Sequence, residues 1–168
     1  MKRIGLISDT HGYLDPAVFT QFKNCDEIWH AGDFGSILLA NDLIAATGLP
    51  LRGVYGNIDG QDVRNKFMLQ EIFMCENVKV MMRHIGGYPP RYNPETKKEI
   101  ILQKPDLFIS GHSHILKIMY DDKLKCMHMN PGAAGTQGWH KVRTLIRFGI
   151  DDKRIVECEV IELGSTRR

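Results

Sequence analysis

The chain has 168 residues, and its 22 Lys and Arg nearly balance its 20 Asp and Glu, which gives a formal net charge of +2 at neutral pH. A chain of this length can bury a full hydrophobic core, so we predict one domain over residues 1–168. The small net charge excludes a strong general attraction to nucleic acid or to an anionic membrane, and we expect neither as a stable partner. Any recognition of phosphate must therefore be local.

Cysteine usage and hydropathy indicate the compartment. The four cysteines are scattered, with no Cys-x-x-Cys pair, and the apolar run after Lys2-Arg3 is only four residues long. That run is too short for a secretory leader, and no apolar run approaches the length of a membrane span. We therefore expect a reduced, cytoplasmic protein.

The first half of the chain alternates short strands with helices. In order, we predict a strand over residues 4–8, a helix over 15–23, a strand over 27–30, a helix over 36–47 and a strand over 51–55. Pro16 would occupy the first helical position of the first helix, and Gly48 would cap the second. This alternation predicts an α/β fold with parallel strands whose ends meet at one edge.

In the second half of the chain the predicted elements are mainly strands and hairpins rather than alternating strands and helices. We predict strands over 68–75 and 78–84, a helix over 94–103, a strand over 107–110, and antiparallel hairpins over 115–129 and 142–163. Residues 85–94 contain too many Gly and Pro for a regular element. We expect the tail over 165–168 to be frayed.

Polar side chains follow one predicted strand after another. They comprise Asp9, His11, Asp33, Asn57, His84, His112 and His114. All seven offer oxygen or nitrogen ligands, and ligands bind in α/β folds at the carboxyl ends of strands. A mononuclear zinc site needs about four protein ligands, so seven indicate two divalent metals that share a carboxylate. Two Asp and a bridging hydroxide would leave a small positive surplus that attracts a phosphate ester.

These motifs, in this order, resemble the signature of the calcineurin-like metallophosphoesterase superfamily: Asp9-x-His11, Gly32-Asp33, Gly56-Asn57, His84 and Gly111-His112-Ser113-His114. Chain length and Asn130-Pro131-Gly132 are similar to its small bacterial and archaeal phosphodiesterase branch. The resemblance covers essentially the whole chain. It implies a four-layer αββα sandwich of two mixed β-sheets flanked by helices.

The resemblance also sorts the ligands between two metals. It implies that Asp9, His11 and His114 hold the first metal, that Asn57, His84 and His112 hold the second, and that Asp33 bridges them. Manganese is our first choice for both metals, and Zn, Fe, Ni or Co would suit the same ligand types. Small relatives form dimers or tetramers, so we expect a homodimer or homotetramer.

The implied activity is hydrolysis of a small phosphodiester by a hydroxide that bridges two metals. Many members of the superfamily carry a His after the Asn of the third motif, where it protonates the leaving group. Here that position is Ile58, so we predict poor turnover of esters with basic leaving groups. Asp59 follows it and has two interpretations: a catalytic role behind the ligands, or a turn or helix cap.

Related small phosphodiesterases often read His-Gly-His where this chain reads His84-Ile85-Gly86. The missing companion His makes Tyr88, Arg91 and Tyr92 candidates for contacting a base or a phosphate, although the same loop could simply cover the sheet edge. Of the other histidines, we expect His30 to support the Asp33 loop and His128 to be structural. A solvated loop position is the simplest interpretation of His140.

Four alternatives to a phosphodiesterase are compatible with parts of the sequence. A non-catalytic metal-binding scaffold that binds protein partners is the main one, because one relative in eukaryotic membrane-coat assembly uses the fold in this way. A repair nuclease conflicts with Ile58 and with the near-neutral charge, and a protein serine/threonine phosphatase conflicts with Ile58 and with the short chain. A purely structural metal site would not need an open, bimetallic arrangement.

Overall fold

The structure, a computed structural model, describes residues 1–166, which form twelve strands and four helices. The strands are β1 (Lys2–Ile7), β2 (Glu27–His30), β3 (Leu51–Gly53), β4 (Gln70–Cys75), β5 (Val78–Arg83), β6 (Gly87–Tyr88), β7 (Arg91–Tyr92), β8 (Leu107–Ile109), β9 (Leu116–Asp121), β10 (Cys126–Pro131), β11 (Val142–Asp151) and β12 (Arg154–Ser165). The helices are α1 (Ala17–Gln21), α2 (Ile37–Thr47), α3 (Gln61–Arg64) and α4 (Pro94–Gln103).

Two five-stranded mixed sheets carry the fold. The first has the order β12-β11-β1-β2-β3, and the second has the order β4-β5-β8-β10-β9. In each sheet three neighbouring strands are parallel, namely β1, β2 and β3 in the first and β5, β8 and β10 in the second. Each sheet therefore presents a row of parallel carboxyl ends, followed by loops.

Alternation along the strands divides the core into three layers of side chains. Ile4 and Leu6 of β1 point toward the second sheet, where Leu107 and Ile109 of β8 meet them in one buried cluster. Residues between them point outward: Phe108 packs under α4, while a third cluster lies beneath α1, α2 and α3. Helices thus cover the outer face of both sheets, and the predicted four-layer αββα sandwich is confirmed.

Most predicted elements are present, and α2 and α4 are capped as expected. The Ser36 hydroxyl accepts from the Leu38 N–H at the start of α2, and Gly48 ends that helix in the left-handed conformation. The Asn93 side chain caps α4 by accepting from two backbone N–H groups. Both predicted hairpins form, as β9–β10 and β11–β12.

Five expectations need correction. The first helix is shorter than residues 15–23, because α1 spans only Ala17–Gln21. Pro16 is the N-cap residue of this helix rather than its first helical residue. The third strand ends at Gly53, and Val54 makes only an isolated bridge. Residues 85–94 do contain a regular element, the hairpin β6–β7, and α3 was not expected.

The tail also departs from the expectation. Ser165 lies in β12, and Thr166 donates its backbone N–H to the Lys141 carbonyl, so this part is ordered by pairing with β11 rather than frayed. Arg167 and Arg168 lie outside the described residues. No helix within residues 1–166 combines the length and the apolar character needed to cross a membrane.

Candidate metal centre

The loops after the parallel strands bring the seven predicted ligands together at one edge of the sandwich. Two groups each place three ligand atoms within 4.8 Å of one another. The first ligand group is Asp9, His11 and His114, and the second ligand group is Asp33, His84 and His112. Asn57 adjoins the second group, because its Oδ1 lies 3.0 Å from Nδ1 of His112. The resemblance implied the same separation of Asp9, His11 and His114 from His84 and His112; which metal each residue holds stays a prediction.

One oxygen of Asp33 lies between the two groups. Asp33 Oδ2 is 3.5 Å from Nε2 of His11 in the first group and 3.2 Å from Nε2 of His84 in the second. The other Asp33 oxygen, Oδ1, accepts a hydrogen bond from the backbone N–H of Ile58 at 3.0 Å. This hydrogen bond orients the carboxylate so that Oδ2 is free to face both groups.

Asp9 is oriented in the same way. Its Oδ2 accepts from the Ser8 hydroxyl at 2.6 Å and from the His112 backbone N–H at 3.1 Å. Its Oδ1 faces the imidazoles and lies 3.2 Å from Nε2 of His114. One carboxylate oxygen is therefore used for structure and the other is directed into the site.

Hydrogen bonds behind the rings fix the imidazoles. Nδ1 of His84 donates to the Ala31 carbonyl at 2.7 Å, which leaves its Nε2 lone pair directed into the site. Nε2 of His140 lies 2.8 Å from the Gly135 carbonyl and donates to it, so its Nδ1 must accept from Nδ1 of His114 at 3.2 Å. His114 then also directs an Nε2 lone pair at the Asp9 carboxylate, an arrangement suited to a shared cation.

Three buried atoms at the centre have no hydrogen-bond partner: Oδ1 of Asp9, Nε2 of His11 and Nε2 of His84. A buried polar atom without a partner costs about 1–3 kcal/mol. All three are lone-pair donors that converge on the same space, and a divalent cation would satisfy them together. The residues present therefore fit divalent metal.

The charges of the site depend on one another. Burial alone would raise the pKa of Asp33 and lower that of His84, but their mutual contact reverses both shifts. The pKa of Asp9 is likewise lowered despite burial, because the imidazoles of His11 and His114 lie close to its carboxylate. The nearby Asp9 carboxylate in turn raises the pKa of His11. Both carboxylates are thus ionised at neutral pH and attract either protons to the imidazoles or a metal cation.

The backbone of the ligand loops is strained. Five of the seven candidate ligands have positive φ: Asp9 (53°), His11 (46°), Asp33 (58°), His112 (70°) and His114 (59°). Each such conformation costs about 1–3 kcal/mol for a residue with a side chain, and this strain persists only where surrounding contacts enforce it. Its concentration on the predicted ligands marks these loops as the functional site.

Two positions require glycine because ligand side chains from neighbouring loops lie directly against the backbone there. A Cβ on Gly32, whose φ is 105°, would overlap the His84 ring, and a Cβ on Gly56 would overlap the Asp33 carboxylate. Each glycine precedes a ligand in sequence and lies against a ligand from a neighbouring loop. The Gly-Asp and Gly-Asn motifs therefore have a steric reason.

Comparison with known proteins identifies the family. Residues 1–153 match the model of the calcineurin-like phosphoesterase superfamily domain. The chain belongs to this superfamily. It is 31% identical to a probable metallophosphoesterase of Methanocaldococcus jannaschii over 168 residues, which cover 95% of this chain and 81% of the relative. The family predicted from the motifs is confirmed.

Solved structures share the fold at lower sequence identity. A structure described as that of a novel archaeal phosphodiesterase superposes with a TM-score of 0.74 at 21% identity, covering 95% of this chain and 99% of its own. Vps29 from Entamoeba histolytica in complex with Zn²⁺ superposes with a TM-score of 0.72 at 19% identity, covering 96% and 99%. At these identities the likeness supports the fold alone.

The Asp59 side chain hydrogen-bonds to the backbone of two loops that carry candidate ligands. Its buried carboxylate accepts from the backbone N–H groups of Phe34, Gly35 and Gly56 at 2.8–3.2 Å. It thereby ties the loop that carries Asp33 to the loop that carries Asn57. Of the two interpretations of Asp59, a role behind the ligands and a turn or helix cap, these contacts favour the first.

His30 also acts on the Asp33 loop, as predicted. Its Nδ1 accepts from the Gly32 N–H at 3.1 Å, so its Nε2 donates to the Thr10 hydroxyl at 2.9 Å. Complete burial lowers the pKa of His30 to about 3, which keeps the ring neutral. His128 is buried against Phe108 in β10, consistent with the structural role that we expected.

The three predicted substrate residues lie on the β6–β7 hairpin and make contacts of their own. The Tyr92 hydroxyl donates to Asp121 at 2.7 Å, and its ring packs near Phe108. Nζ of Lys117 lies over the Tyr88 ring at 3.8 Å, and Arg91 is exposed. These contacts favour the alternative interpretation, in which the loop covers the sheet edge.

Two features were not recognised from the sequence. His140 is not a solvated loop residue but a half-buried partner of His114, and its proximity in sequence to Asn130-Pro131-Gly132 was the available signal. The second feature is a cleft beside the second ligand group, lined in part by Tyr55, Arg64 and Leu69. Arg64 belongs to the short helix α3, and no sequence pattern indicated this helix or the cleft.

Proposed function

We propose that this phosphoesterase is a metal-dependent phosphodiesterase with a binuclear centre, and that Asp33 bridges the two ions. One observation carries the proposal: Asp33 Oδ2 lies within 3.5 Å of imidazole nitrogens from both ligand groups, and unpartnered buried lone pairs surround it. Manganese remains our first choice of metal. Zinc, iron, nickel or cobalt would suit the same oxygen and nitrogen ligands.

The two ions, when bound, would supply an activated water and would neutralise charge on the phosphate. Asp9, His11 and His114 would hold one ion, and Asn57, His84 and His112 the other. The exposed Asn57 and His112 place the second group where a substrate can reach it from solvent. Six donors form two groups and Asn57 adjoins the second, so the full predicted ligand set is kept. This favours catalysis over a scaffold role, which does not require these ligands.

The side chain at position 58 shapes the range of substrates. Ile58 follows Asn57, is 46% exposed, and has no proton to give. The leaving alcohol would therefore depart as an anion, so activated esters should react much faster than simple alkyl esters. We propose a small phosphodiester as substrate and a cytoplasmic location, which is consistent with four free cysteines. A homodimer or homotetramer stays a prediction.

The test is hydrolysis of bis(p-nitrophenyl) phosphate and of p-nitrophenyl phosphate by metal-stripped protein, before and after Mn²⁺ is added. We expect metal-dependent turnover that favours the diester. Asp33→Asn should lower it about 10³-fold, because the shared ligand loses its charge. The matched control is Asp122→Asn, a carboxylate in the exposed β9–β10 turn. Stoichiometric metal binding without turnover would instead favour the scaffold.

A further inference from the structure

A cleft of about 340 Å³ opens beside the second ligand group. Asn57 and His84 line it, so the cleft and the metal centre share two residues. A phosphorus atom held at the centre would therefore carry one of its substituents into or past this cleft. The side chains that line the cleft therefore help to determine which phosphate esters the site can bind.

Much of the cleft wall is apolar. Tyr55, Leu69 and Ile85 line it, and Leu69 is 46% exposed while Ile85 is 38% exposed. Ile58, also exposed, directly follows Asn57 in the same loop. Large apolar side chains that remain open to water beside a polar centre indicate a surface that a ligand covers.

The charged groups of the cleft are mainly positive. Nε of Arg64 donates to the Asp59 carbonyl at 2.7 Å, and its guanidinium lies 4.5 Å from the centre of the Tyr55 ring. Its hydrogen bonds go to carbonyl groups, so its charge is not offset by a bonded carboxylate. Arg83 is a second cation in the lining, bonded to the side-chain amide oxygen of Gln70.

Glu95, at the start of α4, is the carboxylate in this lining, and it pairs with Lys98 at 3.5 Å. The cleft therefore combines uncompensated guanidinium charge with aliphatic and aromatic walls. The guanidinium charge favours binding of the phosphate anion, and the aliphatic and aromatic walls favour binding of an apolar substituent on the phosphate. The lining also contains the side chains of Asn57 and Asn93, and the Asn93 oxygen is occupied in capping α4. Leu69 and Ile85 offer a sugar or polyol substituent no hydrogen-bond partner.

We propose that the cleft binds an apolar or aromatic ester group of the substrate, so that the natural substrates are phosphodiesters with at least one such group. This inference rests on the proposed function, because it assigns a substrate class to the same site. Leu69 and Ile85 determine the preference, and Arg64 orients the phosphate.

The test measures binding rather than turnover, with phosphonates that cannot be hydrolysed as probes. Calorimetry on the Mn²⁺-loaded protein would compare methylphosphonate, 2-hydroxyethylphosphonate and phenylphosphonate. We expect phenylphosphonate to bind about tenfold more tightly than methylphosphonate, because the cleft removes its ring from water. The hydroxyethyl compound should gain little over methylphosphonate, since its hydroxyl finds no partner on Leu69 or Ile85.

Leu69→Ser and Ile85→Ser should each reduce the preference for the phenyl compound while leaving methylphosphonate affinity unchanged. Leu102→Ser is the matched control, because Leu102 is 71% exposed on α4 and does not line the cleft. It should leave all three affinities unchanged, which excludes a general effect of losing an exposed leucine.

The outcomes separate this inference from the proposed function. Equal affinity for the three phosphonates, or no binding of any of them, would overturn the role of the cleft even if diesters are hydrolysed. A phenyl preference that survives both serine variants would overturn the assigned residues. Absence of metal-dependent turnover would overturn the proposed function, while the phosphonate ratios would still report on the cleft.

Discussion

The two ligand groups of this phosphoesterase differ in how the protein encloses them. In the first group Asp9 is buried, His11 and His114 are half-buried, and His140 supports the His114 ring from behind. The second group has a buried part, formed by Asp33 and His84, but it ends in exposed Asn57 and His112 beside the cleft. We therefore expect that an ion bound by the first group would be retained, and that the second group would exchange ion and substrate with solvent.

The largest expected effect concerns the exposed end of the second group. Asn57→Ala removes its neutral oxygen donor and should reduce bound Mn²⁺ from two ions to one per chain. Turnover of bis(p-nitrophenyl) phosphate should fall about 10²-fold, because one ion no longer neutralises the phosphate. Equilibrium dialysis with metal analysis measures the stoichiometry. Asn41→Ala, at an exposed position of α2, is the control, and a variant that keeps two ions would contradict the assignment.

A substitution of His140 tests whether hydrogen bonding behind the first ligand group strengthens metal binding. His140→Ala removes the acceptor that fixes the His114 ring, so Mn²⁺ affinity at the tighter site should fall about 10–100-fold. His140→Gln should restore most of the affinity, because an amide can also accept from His114 and donate to the Gly135 carbonyl. Metal-binding titrations followed by calorimetry would measure both. Equal loss in the two variants would show that the hydrogen-bond relay is not the cause.

The dependence of turnover on the leaving group tests whether the site lacks a proton donor at Ile58. We expect the logarithm of kcat/KM to fall steeply as the leaving-group pKa rises across a series of aryl and alkyl diesters. Ile58→His should make that slope shallower and raise turnover of the most basic leaving groups about tenfold or more. Ile58→Gln, of similar size and without an acidic proton, is the control. A flat dependence in the unmodified protein would contradict the prediction.

The smallest effect concerns stability away from the centre. Burial lowers the pKa of His128 to about 4, below the value of about 6.5 in an unfolded chain. Between these values the unfolded state binds the extra proton, so stability is complete above pH 6.5 and falls as the pH drops toward 4. From pH 7 to pH 5 the loss from this residue should be about 1–2 kcal/mol.

His128→Phe should remove that loss, since Phe cannot be protonated and can stack on Phe108. Urea unfolding at pH 7 and pH 5 compares the variant with the unmodified protein. An identical pH dependence in the two proteins would show that His128 is not responsible for the acid sensitivity.

The ligands could be predicted from the sequence because each follows a strand whose apolar residues alternate or run continuously. Parallel strands end at a common edge, so Asp33, His84 and the others had to lie close together once the strands were recognised. Helix α2 was predictable for a similar local reason, since Ser36 and Gly48 mark its two ends. In these regions local signals and tertiary packing agree.

The cleft and the β6–β7 hairpin could not be predicted, because they depend on contacts that are distant in sequence. Tyr92 is held by Asp121 from β9, which gives no local signal. Helix α3 has only four residues, and its Arg64 is positioned by carbonyl groups of the preceding loop rather than by an apolar pattern. The pairing of His140 with His114 likewise joins two loops that are 26 residues apart.

The most direct test of the proposed binuclear centre is a titration of metal-stripped protein with Mn²⁺. Bound metal and hydrolysis of bis(p-nitrophenyl) phosphate are measured in the same samples. We predict that turnover stays low through the first equivalent, at the enclosed first group, and rises with the second. Full turnover with a single ion, or turnover without metal, would contradict the account.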